Sequence, residues 1–150
     1  MKTVYFVQHG IAHIKDIDPN RGLSDIGREQ VLRVAANLHN HNIEIHKICH
    51  SGKLRALETA KLFSDILSVD NVCELNSMNP NDNPAELISQ INTDAVMYIG
   101  HLPHLQKVLD QLLPNEVNQK VPSFQNSAVA CVEIEQQTAT LKWFITADMC

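Results

Sequence analysis

Two hydrophobic rhythms alternate along this chain. The run Val4-Tyr5-Phe6-Val7 is short, apolar and rich in β-formers, which predicts a strand over residues 3–7. Apolar positions then recur at helical spacing in Val31, Val34, Ala35 and Leu38, behind Ser24 as a candidate N-cap. A second strand is expected over 45–49. The next helix is expected to carry its apolar face on Leu54, Leu57, Leu62, Phe63, Ile66 and Leu67. Val72 begins a short strand over 72–75. Asn83-Pro84-Ala85-Glu86 is a helix start, with Asn at the cap, Pro at the first helical position and Glu at the third; this helix is expected to run to about Asn92. Residues 95–99 form an apolar strand broken by Gly100. Pro103 opens a helix with Leu105, Val108, Leu109 and Leu112 on one face. Residues 128–134 and 140–145 predict two strands joined by a polar turn over 135–139.

Strand, helix, strand, helix is the order of an α/β fold: a three-layer α/β/α sandwich around a central sheet. The closing pair of strands is close enough for a hairpin, so the sheet is expected to be mixed but mostly parallel. The 150 residues are read as one domain over 1–150. There is no internal repeat or low-complexity tract. The apolar start of the chain is too short for a signal segment, no stretch reaches the length of a membrane span, and a cytoplasmic location is expected. A net charge of -5 argues against nucleic acid as a partner, because sequence-independent binding needs a positive surface. The four cysteines include no C-x-x-C pair. Cys49 and Cys131 lie in strand-like runs and read as buried free thiols; Cys150 reads as exposed.

Ligands of such sheets bind beyond the carboxyl ends of the strands, and polar clusters fall at three of those ends. Gln8-His9-Gly10 follows the first strand, Ser51-Gly52-Lys53-Leu54-Arg55 the second, and Gly100-His101-Leu102-Pro103-His104 the strand over 95–99. Arg21, in the loop after the first strand, is a further candidate. These residue types suit phosphoryl transfer. A neutral imidazole is a competent nucleophile near neutral pH. Arginine clamps phosphate oxygens with a planar, permanent charge. A second histidine can stabilise the charge of the transition state, and helix N-termini add oriented N–H donors.

Val7-Gln8-His9-Gly10, Ser51-x-x-x-Arg55-Ala56-x-x-Thr59-Ala60 and Gly100-His101 resemble the histidine phosphatase superfamily, also called phosphoglycerate mutase-like. Arg21-Gly22-Leu23-Ser24-x-x-Gly27, Gly100-His101-Leu102-Pro103 and Phe124-x-x-Ser127-Ala128-x-Ala130 resemble its small SixA-type phosphohistidine phosphatase branch. The resemblance implies that His9 is the phosphorylated nucleophile. Arg55 would bind the phosphoryl group and His101 would stabilise it from across the pocket. Gln8, Gly10, Ser51 and Arg21 would complete the phosphate site, with Arg21 near its mouth. No metal or cofactor is implied. One position departs from the family motif, which has arginine immediately before the nucleophilic histidine. Here it is Gln8, which can donate through its amide but carries no charge and no fork.

A phosphomonoester expels an alkoxide and wants a positioned general acid. The best remaining carboxylate is Glu74, at the end of a short strand; His101 is followed by Leu102 and not by an acid. Phosphohistidine loses an imidazole, which leaves readily once protonated from solvent, so a site without an evident acid favours a P–N bond. The polar segment 76–83 is short for a lid. An open site suits a substrate presented on a partner surface, a phosphohistidine-carrying domain of a signalling protein; the chain itself is expected to be a monomer. The alternatives are a small phosphate ester as substrate, a pseudo-enzyme that binds phosphorylated partners, and a vestigial site. His13 and His50 are candidates for the pocket rim. His39, His41 and His46 read as solvated, His104 as non-catalytic, Lys53 as a solvated first-turn residue, and Ser51 itself as a helix cap.

Overall fold

A computed structural model of the chain describes residues 1–113 and 122–150. Strand β1 spans Lys2–Gln8, and Val4 to Val7 are buried on both faces. Helix α1 (Asp25–Asn40) starts where Ser24 caps it, the Ser24 hydroxyl accepting from Gly27 N at 3.0 Å, and buries the expected Val31, Val34, Ala35 and Leu38. Strand β2 is Lys47–His50, two residues later at its start than expected. Its end carries His50 and Ser51 to the sheet's edge.

Helix α2 (Leu54–Leu67) has the expected span but a different buried face, made of Ala56, Thr59, Ala60 and Phe63. Leu54 is exposed instead. Small residues let α2 lie close against α1 and the sheet, and apolar periodicity that weights large side chains misses this. β3 (Val72–Glu74) is short. α3 (Pro84–Gln90) is capped as expected, Asn83 accepting from Ala85 N at 3.0 Å, but ends about half a turn early. β4 (Val96–Gly100) and α4 (His104–Leu112) follow. β5 (Val129–Glu135) and β6 (Thr138–Ile145) form a hairpin tighter than expected, turned at Gln136 with φ 56°. A single 3-10 turn, Ala147–Met149, ends the chain.

The strand order is β3-β2-β4-β1-β5-β6. The pairs β2–β3, β2–β4 and β1–β4 are parallel; β1–β5 and β5–β6 are antiparallel. The sheet is thus mixed and mostly parallel, as the sequence implies. Period-two alternation sends Tyr5, Val7, Ile48, Met97 and Ile99 to the core beneath α1 and α2. Val4, Phe6, Val96 and Tyr98 face the core shared with Leu87 of α3 and Leu105 and Leu109 of α4. Helices on both faces make three layers.

This topology positions the site. β1, β2 and β4 all end at one edge, at Gln8, His50 and Gly100, with Gln8 level with Gly100. β5 runs the other way and begins there, Val129 opposite Val7. Four chain segments far apart in sequence therefore meet where His9 leaves the sheet. The loop after His9 crosses α1 closely: a Cβ on Gly10 would lie 2.7 Å from Val31 Cγ2 and 3.2 Å from Gly27 O. Gly10→Ala is expected to cost about 1–3 kcal/mol through this overpacking. Chemical denaturation of the two proteins checks it, and equal midpoints would show that the crossing is looser than described.

Candidate active site

His9 is the first residue past β1, and its ring is almost wholly buried. Its backbone is held on three sides. His9 N donates to Gly100 O at 3.1 Å, Asn126 Nδ2 donates to His9 O at 3.0 Å, and Ser127 N donates to the neighbouring Gln8 O at 3.0 Å. The ring is held as well: Nδ1 lies 2.7 Å from Gly10 O. A carbonyl only accepts, so Nδ1 carries the proton and the lone pair is on Nε2. Burial, with the charges of Arg55 and Arg21, lowers the His9 pKa to about 4, against an opposing pull from the Gly10 carbonyl. His9 is neutral at pH 7, with Nε2 available.

Arg55 lies in the first turn of α2, and its Nε donates to that same Nε2 at 3.3 Å. Thr59, one turn on, ties the helix to the histidine loop. Its hydroxyl accepts from Gly10 N at 3.0 Å and donates to Arg55 O at 2.7 Å. His101, just past β4, is fully buried, with its ring centroid 4.9 Å from that of His9. Ser51 Oγ lies 2.6 Å from His101 Nε2. Nδ1 of His101 has no partner among the described residues. If the Ser51 hydroxyl donates to Nε2, the one proton of neutral His101 sits on Nδ1 as an unused donor. Burial first, then the charges of His9, Arg55 and Lys53, push the His101 pKa down to about 3.

Ser51 is therefore not the cap of α2. Lys53 occupies that position without a side-chain bond, and Ser51 faces His101. The turn between them needs a glycine: Gly52 has φ +90°, and a Cβ there would collide with the Glu74 carboxylate. Glu74 itself is exposed at the end of β3, against Gly52. Arg21 is half-buried with φ 52°, and its Nε donates to His13 O at 3.0 Å. Its charge, after burial, contributes to lowering the Arg55 pKa, which places the two guanidinium groups in one field. Neither forms an ion pair with a carboxylate among the described residues. Lys53 is exposed, though its charge reaches His101.

Gln8 ends β1 beside Gly100. Its side chain is buried, and Oε1 has no partner among the described residues. His50 is buried at the end of β2 and accepts from Gly52 N at 3.1 Å, so it supports the turn. His13 contributes its carbonyl to Arg21. His39, His41 and His46 are exposed as expected. His104 is buried, with neither ring nitrogen partnered among the described residues. Asn126 and Ser127 went unassigned to the site in the sequence. Ser127 (φ 67°) stands in the late Phe124-x-x-Ser127 element, but nothing local marks Asn126 as a clamp on His9.

His9 Nε2, the Arg55 guanidinium and the His101 ring stand together, a set of groups suited to a tetrahedral anion. The site's arginines, without ion pairs among the described residues, and its neutral histidines favour an anionic ligand.

No family model and no curated protein sequence matches the chain. Solved structures do. The protein histidine phosphatase SixA complexed with tungstate superposes with a TM-score of 0.85 at 24% identity, over 98% of both chains. A phosphoserine phosphatase from Entamoeba histolytica, in complex with 3-phosphoglyceric acid, gives 0.75 at 15% identity over 97% of this chain and 98% of that one. A phosphoglycerate mutase from Plasmodium falciparum gives 0.74 at 17% identity over 95% and 89%. The fold is thus the phosphoglycerate mutase-like α/β fold.

The depressed pKa of His9 is directly observable. Its ring resonances in an NMR titration are expected to hold their neutral-form positions from pH 8 to about 5, and to move only as the pH approaches about 4. A midpoint near the ordinary value of about 6.5 would mean that the ring is solvated.

Proposed function

We propose that this chain is a metal-independent phosphatase that works through a phosphohistidine intermediate on His9 and removes phosphate from phosphohistidine in a signalling protein. The observation that carries this reading is the arrangement at His9: a buried, neutral ring with Nδ1 bound to Gly10 O and Nε2 facing Arg55 at 3.3 Å. The fold shared with SixA in its tungstate complex supports it, since tungstate is a tetrahedral oxyanion like phosphate.

In this reading, Nε2 of His9 attacks phosphorus in line with the departing imidazole. The Gly10 carbonyl stabilises the positive charge that develops on the ring through the Nδ1 proton. Arg55 grips two equatorial oxygens and His101 Nδ1–H donates to the third. A bound phosphoryl group raises the His101 pKa, because its negative charge opposes the desolvation that lowers it. The leaving imidazole takes a proton from solvent. Water then attacks the phosphohistidine, breaking the P–N bond and releasing phosphate with His9 neutral again. Glu74 is exposed and packs on Gly52 rather than on His9, which keeps the argument for a P–N bond over a P–O bond. Gln8 contributes amide donors in place of a guanidinium. The absent charge costs about 3–4 kcal/mol of transition-state stabilisation, a few hundred-fold in rate.

Gln8 also favours a second reading, a protein that binds phosphorylated partners without turnover. Single-turnover reactions with a radiolabelled histidine-phosphorylated domain separate the two. Wild type is expected to release phosphate and His9→Ala to release none. Arg55→Ala is expected to be slower by a factor on the order of 10²–10³, and Gln8→Arg faster by up to a few hundred-fold. Unchanged release from His9→Ala would refute the covalent route. Faster turnover of p-nitrophenyl phosphate than of the phosphoramidate bond would move the substrate to phosphomonoesters.

A further inference from the structure

Beside the pocket, two nucleophilic side chains meet between β2 and β3. Cys49 of β2 and Cys73 of β3 are in register, and their Sγ atoms lie 3.2 Å apart. Both are free thiols. Paired strands run about 4.8 Å apart, within the Cα separation of about 4.4–6.8 Å that a disulfide spans. The bond needs the sulfurs to close to about 2.0 Å, roughly an ångström of side-chain movement. β3 is a three-residue edge strand, and Cys73 on it is half-buried, while Cys49 is buried. Cys73 is thus the more accessible thiol, and Cys49 lies in the core against which it packs. Burial and the neighbouring Cys73 push the Cys49 pKa up, so Cys49 is the less readily oxidised of the two.

We propose that Cys49 and Cys73 form a modification site, at which hydrogen peroxide closes a reversible intramolecular disulfide. The Cys73 thiol takes one oxygen from the peroxide, giving a sulfenic acid and one water. The Cys49 sulfur then attacks the sulfenic sulfur. The S–S bond forms, the S–O bond breaks, and the hydroxyl leaves with the Cys49 proton as a second water. Both sulfurs are oxidised and the peroxide is reduced; an external dithiol reverses the change.

The position gives the bond a reach into the pocket. Cys49 is two residues before Ser51, which bonds His101 at 2.6 Å. Between them His50 holds the Gly52 turn through Nδ1, and its carbonyl accepts from Leu75 N at 2.8 Å, so β3 is fastened to the same segment. Closing the bond turns the Cys49 side chain on the same strand segment that carries His50 and Ser51, and so shifts the residues that orient His101. The other two cysteines do not compete: Cys131 is buried in β5, and Cys150 donates to Thr146 O at 3.4 Å.

Peptide mapping after peroxide treatment tests the assignment. Wild type is expected to lose two of its four thiols, with Cys49 and Cys73 in one cross-linked peptide, and to regain them with dithiothreitol. Cys73→Ser and Cys49→Ala are each expected to show no such cross-link. Oxidation is also expected to shift the His101 ring and Ser51 amide resonances in wild type and to leave them in place in Cys73→Ser. Retention of all four thiols, or a cross-link through Cys131 or between two molecules, would overturn the site. A Cys49–Cys73 bond with unmoved His101 and Ser51 signals would overturn its link to the pocket. None of these readouts depends on phosphatase activity.

Discussion

A neutral imidazole has one proton, and the Gly10 carbonyl decides which nitrogen of His9 holds it. The rest of the site depends on that single bond of 2.7 Å. With Nδ1 occupied, the lone pair is on Nε2, toward Arg55 and the space beside His101. The carbonyl is held in turn by what surrounds Gly10. Its N–H goes to Thr59, and its missing side chain lets the loop cross α1 in contact with Val31. A larger residue at this position would move the acceptor away from the ring.

The electrostatics follow from burial more than from charge pairing. Desolvation is the first cause of the low pKa values of both His9 and His101, and the guanidinium groups add to it. Two neutral rings stand beside arginines that form no ion pair among the described residues, a site whose positive potential suits an anion. Ser51 holds the His101 ring through Nε2 as Gly10 holds the His9 ring through Nδ1, and a hydroxyl that donates there leaves the His101 proton on Nδ1. Gln8 lowers the charge of this assembly without breaking its geometry, because the backbone bonds around it, Ser127 N to Gln8 O and His9 N to Gly100 O, do not involve the side chain.

Local signals in the sequence were read well where one residue does one local job. Ser24 and Asn83 cap the helices they precede, and His9, Arg55 and His101 lie at strand ends or helix starts that the sheet brings together. Signals that depend on topology were not legible. β4 inserts between β1 and β2, and only that order sets Ser51 against His101; read alone, Ser51 before a helix resembles a cap. Asn126 clamps His9 across 117 positions of sequence, and nothing in its neighbours marks it. The buried face of α2 is made by Ala56, Thr59, Ala60 and Phe63, and the spacing of its leucines does not mark that face. Cys49 and Cys73 are 24 positions apart in the sequence, and only the parallel pairing of β2 with β3 puts them in register.

The central claim is that His9 acts through Nε2 because Gly10 holds Nδ1. Locating the phosphoryl group on protein treated with phosphoramidate, by phosphorus NMR of the trapped adduct and mass spectrometry of its peptides, tests this most directly. The account predicts a single phosphate on Nε2 of His9, absent from His9→Ala. Phosphate on Nδ1 of His9, on another side chain, or released with no adduct on His9 would contradict it.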